Sequence, residues 1–197
     1  MFFFSNSLDD NLVYVGGWIG YRNHFSTIEF KNINNNKTCH IKSLNNEIAY
    51  HASVVTPIGV VACGGETSNG NRTKDCFRLT NQNNWEMFPS MNIARDQFDV
   101  VVVGSILVAF GGYLNENTYE KINWRNGDKW EVTNTNQSFY RPCVTKWNEE
   151  SIFITGGTNK RWNVSNSNFV FIVFKLINHL NSKLEVKVAI KYHIAEG

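Results

Sequence analysis

The sequence is short of charge. Lysine, arginine, aspartate and glutamate make up 18% of its 197 residues, and the formal net charge is +2. So thin a surplus supplies no concentrated basic face, and nucleic acid is not an expected partner. Long apolar runs are also missing. The most apolar stretch, FVFIVF at 169–174, is closed by Lys175. It falls far short of the roughly 20 residues that a spanning helix needs, so no membrane is expected. The start, Met1-Phe2-Phe3-Phe4, carries no basic residue, and Asp9 and Asp10 follow too soon for a signal peptide. The four cysteines, Cys39, Cys63, Cys76 and Cys143, form no CxxC pair and show no ligand spacing with histidine. No metal and no cofactor are therefore expected, and the thiols are expected to be free in a reducing, cytoplasmic setting. Cys63 and Cys76 fall where neighbouring strands would permit a bridge in an oxidising one. GxSxG, HExxH, phosphate-loop and dinucleotide fingerprints are all missing, and the five histidines are scattered. The chain is not expected to be an enzyme.

What is present is apolar and aromatic. Hydrophobic residues are 42% and aromatics 14%, enough to build a packed core. Asparagine supplies roughly one residue in seven, well above ordinary usage. It suits turns, because it tolerates left-handed backbone and bonds its own main chain. Few long helices are expected from such a chain.

Four apolar runs end on paired glycines: NLVYVGG, VVACGG, LVAFGG and IFITGG. The pairs are Gly16-Gly17, Gly64-Gly65, Gly111-Gly112 and Gly156-Gly157. Their steps are 48 (64−16), 47 (111−64) and 45 (156−111), the mark of a repeat architecture. Two tryptophans keep register with them. Trp85 stands 26 residues before Gly111 (111−85), and Trp130 stands 26 before Gly156 (156−130). Within 96–141 the pattern reads as four short strands joined by turns, an antiparallel meander. HASVV, VVACGG, KDCFRL and WEMF repeat it. One such sheet cannot bury both faces, but sheets stacked about an axis can. Glycine then permits close backbone approach, and a Trp on the outer strand fills the gap between sheets.

These residues resemble the kelch repeat family of β-propellers. The resemblance rests on the strands ending in GG, an aromatic on the third strand, the Trp, and the linker WEMFPSMNIAR at 85–95. It implies an all-β fold, a kelch-type β-propeller present as a partial or incomplete arc of four-stranded antiparallel blades. The blades fall at about 1–44, 50–88, 96–133 and 142–157 onward, within a repeat region of 1–157. Residues 158–197 are either a divergent last blade or a non-kelch tail. Family propellers usually close with five to seven blades, so missing blades or an oligomer are implied.

The family also places a protein- or peptide-binding surface on one loop face. By position, that face takes Tyr50, His51, Arg95, Gln97, Tyr140 and Arg141 from the linkers. Tyr113 and Asn115 come from a loop after the glycines. The other such loops supply Trp18, Tyr21, Arg22, Glu66, Ser68, Asn69, Lys160 and Arg161. Tyr and Arg dominate interface hot spots, and Arg clamps carboxylates, so an acidic protein or peptide partner is expected. Arg95 and Arg141 have a competing role, bracing neighbouring blades. The resemblance further implies relatives that act as ubiquitin-ligase substrate adaptors or bind actin. The alternatives are a fragment or decayed paralogue without activity of its own, or, less favoured, a copper-dependent kelch-fold oxidase.

Overall fold

A computed structural model of the chain describes residues 4–8, 11–18, 24–41, 43–44, 47–80, 82, 84–127, 129–135, 138–148, 151–158, 170–175 and 185–191. Among these residues there are strands and turns and no helix. The chain divides into two compact units. One is Met1–Gln97 with Asp128–Trp130, and the other is Phe98–Gly127 with Glu131–Gly197.

The first unit holds two four-stranded antiparallel sheets. β1 (Phe4–Leu8), β2 (Asn11–Trp18), β3 (His24–Asn32) and β4 (Thr38–Ile41) lie side by side in chain order. The second sheet is ordered β10-β9-β7-β6, from β6 (Ala52–Thr56), β7 (Gly59–Cys63), β9 (Cys76–Leu79) and β10 (Trp85–Phe88). A two-stranded ribbon, β5 (Ile48–Ala49) with β8 (Glu66–Thr67), joins a linker to a loop that the repeat pattern leaves unpaired. The hydrophobic pattern explains the sheet centre. Val60, Val61, Ala62 and Cys63 are all buried, the unbroken apolar run of a strand covered on both faces. Val60 and Ala62, on one face of β7, pack in one cluster with Val15, Leu44, Ile48 and Leu79, and Trp85 lies against it. The two sheets of this unit therefore share a core. Trp130, 2% exposed, donates its indole N–H to the Pro89 carbonyl at 2.8 Å, and its own carbonyl accepts from Asn92 at 2.7 Å. Both repeated tryptophans are thus packing residues.

The second unit repeats the plan. β11 (Asp99–Val103), β12 (Ile106–Phe110), β13 (Thr118–Asn123) and β14 (Glu131–Asn134) form a meander in chain order. β15 (Tyr140–Asn148), β16 (Ser151–Thr158), β17 (Val170–Lys175) and β18 (Glu185–Lys191) form another. Residues of 158–197 thus supply two strands of the last sheet. Leu107, Val108, Ala109 and Phe110 are fully buried. The Phe110 ring stacks on Tyr119 with centroids 5.1 Å apart and meets Phe139 edge-on at 5.6 Å. Burying one such ring contributes about 2–3 kcal/mol.

Two expectations are corrected here. Strands do not always end on the paired glycines. Gly64-Gly65 and Gly111-Gly112 do follow β7 and β12, with positive φ throughout (64°, 103°, 66° and 113°). Gly16-Gly17 and Gly156-Gly157 lie inside β2 and β16. In β2 the strand continues past them because the ladder absorbs a register shift between Val15 and Gly17. The second correction concerns the thiols. Cys63 and Cys76 face each other across the β7–β9 ladder, with Cα atoms 4.1 Å apart, and form a disulfide. Direct cross-strand pairing brings the two sulfurs within bonding reach. Cys39 and Cys143 are free and exposed.

Candidate functional site

The expected contact residues fall into two groups, one in each unit. In the first unit the linker 91–97 is strapped along the loop that follows β7. Met91 N–H donates to the Lys74 carbonyl (2.9 Å), Arg95 N–H to Thr73 (3.2 Å), and Gly65 N–H to Arg95 (2.7 Å). Gln97 N–H donates to the Tyr50 carbonyl at 3.0 Å. This strapping carries Arg95 inward, to 0% exposure. His51, 1% exposed, lies immediately before β6. Neither side chain offers a surface to a partner, which corrects the expectation for both. Tyr50 and Gln97 are half-buried. Gln97 donates to Asp96 at 3.2 Å, and Arg72 meets the other Asp96 oxygen at 2.6 Å. Asp96 is itself buried, so this ion pair braces the loop against the linker.

Burial also sets two ionisations. Desolvation lowers His51 from 6.5 to about 4, opposed by a backbone hydrogen bond at Val15. In the second unit, desolvation raises Asp99 from 3.8 to about 6. Backbone N–H groups of Val144 (2.7 Å) and Val100 (2.8 Å) donate to its carboxylate and oppose that rise. The two titrations act in opposite directions. His51 is held neutral in the fold and charges only on unfolding. Its contribution is complete above pH 6.5 and is lost as pH falls toward 4. Asp99 holds its proton more tightly in the fold, so its contribution is complete below pH 3.8 and is lost as pH rises toward 6. Each is on the order of 3 kcal/mol. Thermal melts from pH 6 to pH 4 should therefore separate the single variants. His51→Gln should gain melting temperature on acidification and Asp99→Asn should lose it. Parallel profiles for the two variants would contradict this assignment.

The second unit presents the exposed group. Tyr113 follows Gly112, and Tyr140 and Arg141 open β15. Gly112 N–H donates to the Phe139 carbonyl (3.0 Å) and Phe139 N–H to Glu116 (2.7 Å), which binds the two segments together. The rings of Tyr113 and Tyr140 lie 5.8 Å apart, tilted by 57°. The Arg141 guanidinium stands 5.2 Å from the Tyr140 ring centroid, a cation–π distance. Tyr113 is 40% exposed and Arg141 is exposed, while Tyr140 and Asn115 are half-buried.

Sequence reasoning missed Leu114, which is 52% exposed beside Tyr113. Its only sequence signal is an apolar residue inside a loop of turn-forming types. Sequence counting also equates Arg95 with Arg141, and backbone conformation does not. The residues with positive φ in the linkers are Tyr50 (56°), Gln97 (55°) and Arg141 (52°). They precede the first glycine of their pair by 14 (64−50), 14 (111−97) and 15 (156−141) residues. Arg141 thus shares its conformation with Gln97. The additional residue arises where the β15–β16 register shifts between Lys146 and Asn148. Of the other loop residues, Glu66 is half-buried, and Ser68 and Asn69 are exposed. Tyr21, Arg22, Lys160 and Arg161 lie outside the described residues, and Trp18 ends β2.

No protein-family profile and no curated protein matches the chain. Among solved structures, that of YjhT is similar, with a TM-score of 0.69 at 13% identity. The match covers 86% of this chain and 65% of that one, so the chain spans just under two thirds of the structure's length. At this identity the likeness bears on the fold alone.

Proposed function

We propose that the chain is a kelch-type β-propeller segment that works as a non-enzymatic protein-interaction module. The observation that carries the reading is the cluster of exposed Tyr113 and Arg141 with half-buried Tyr140, on two loop segments tied by main-chain hydrogen bonds. Aromatic rings held in place lose little entropy on contact, and a guanidinium beside them can clamp a carboxylate through two parallel bonds. An acidic protein segment is the partner that fits. The likeness to YjhT supports the propeller part of the reading, as do the glycine-pair repeats. The buried Cys63–Cys76 bridge favours maturation in an oxidising compartment over the cytoplasm expected from the sequence.

A random-peptide display library panned on the intact chain tests the interaction. Acidic peptides should be enriched. Their affinity should fall roughly tenfold to thirtyfold in Tyr140→Ala and in Arg141→Ala. Trp147→Ala changes another exposed aromatic of the same unit and should leave binding intact. Wild-type affinity in both cluster variants would place binding elsewhere and end this reading.

A further inference from the structure

Leu114 occupies a position that the backbone reserves for another residue type. Asn115 N–H donates to the Gly112 carbonyl at 3.2 Å, closing a four-residue turn with Tyr113 and Leu114 at its centre. Leu114 is the third residue of that turn and has φ 67°; Tyr113 is not among the residues with positive φ. That is the pattern of a type II turn, whose third position takes glycine or asparagine because a Cβ is strained there. The loop cannot relax away from it easily. A second turn follows at once, with Thr118 N–H and Oγ both donating to the Asn115 carbonyl (3.2 and 2.9 Å). Phe139 N–H holds the Glu116 carbonyl from the other side. Burial does not repay the strain, because half of the Leu114 surface remains open to solvent. A strained, exposed, apolar residue next in the chain to Tyr113, whose ring meets Tyr140, is costly to the fold and suited to contact.

From this we infer that Leu114 is a preset apolar anchor of the interaction surface, and that the acidic segment it meets carries an apolar side chain next to its carboxylate. The inference rests on the proposed interaction reading and adds the specificity element to it. Arg141 selects the carboxylate. Leu114, which follows Tyr113 in the same turn, supplies apolar area that a purely acidic segment would leave wet. The turn fixes Leu114 before binding, so little of its freedom is lost on contact.

Leu114→Gly tests this because stability and binding should move in opposite directions. Glycine relieves the positive φ, and the melting temperature should rise by about 2 °C or more. Peptides selected on the wild-type chain from the same random display library should show an apolar residue adjacent to Asp or Glu. Their affinity for Leu114→Gly should fall at least tenfold. Unchanged affinity, a lowered melting temperature, or a selected consensus without the apolar residue would overturn the anchor. If Arg141→Ala still loses binding in that event, only the anchor fails and the interaction surface stands. If no peptide is enriched at all, both fail together.

Discussion

Gly111→Ala should cost about 4 kcal/mol or more and disrupt the second unit. Two effects combine at this position. Its φ of 66° is left-handed, which by itself costs a residue with a Cβ about 1–2 kcal/mol. The larger effect is contact. A Cβ at 111 would collide with the Phe139 carbonyl oxygen and lie 2.9 Å from the Phe139 Cβ. The obstacle is backbone, and it is tied. That same carbonyl accepts the Gly112 N–H, and the Phe139 ring packs edge-on against Phe110 in the core. Moving it would break a hydrogen bond and a core contact at once. Gly104→Ala is the matched control. Gly104 also has a left-handed φ, 57°, but nothing lies within 4 Å of its added Cβ. It should cost only about 1 kcal/mol. Urea titrations of the two variants separate strain from close approach. Equal losses would show that close approach at Gly111 contributes nothing.

Loss of the Cys63–Cys76 bridge should lower stability by about 3 kcal/mol, most of it in the first unit. The two cysteines are 13 residues apart, so the bond closes a short loop and removes freedom from the unfolded chain. Both are buried, and alanine is the better replacement because serine would place hydroxyls in that core. The effect should be local as well as global. The loop between the cysteines carries Thr73 and Lys74, whose carbonyls hold Arg95 and Met91 of the linker. Hydrogen exchange in the Cys63→Ala/Cys76→Ala chain should therefore quicken across 64–75 and 91–97. Cys39→Ser/Cys143→Ser removes exposed free thiols and should change neither readout. A double-alanine chain that melts with the wild type would remove the bridge from the account of stability.

The sequence by itself determined the strand content and the repeating unit. Apolar runs of strand length, punctuated by turn residues and glycine pairs, have one cheap solution, the antiparallel meander, and each four-stranded sheet among the described residues follows it. Tertiary structure decided everything that depends on register, on facing partners and on which way a residue points. Spacing puts Cys63 and Cys76 on neighbouring strands, but only the ladder register sets them directly opposite each other. Arg95 is buried while Arg141 is exposed because the linker of the first unit is strapped along its loop by three backbone bonds, and because a shifted register in β15 moves Arg141 by one position. His51 lies inside because burial depends on what packs over a residue. Leu114 is the plainest case. Its residue type predicts burial, and only the backbone conformation shows it held outward in a turn that favours glycine. Local preference fixes elements at a few residues' range, whereas the site is made by contacts between segments 25 to 30 residues apart in the chain, such as Gly65 with Arg95 (95−65 = 30) and Tyr113 with Tyr140 (140−113 = 27).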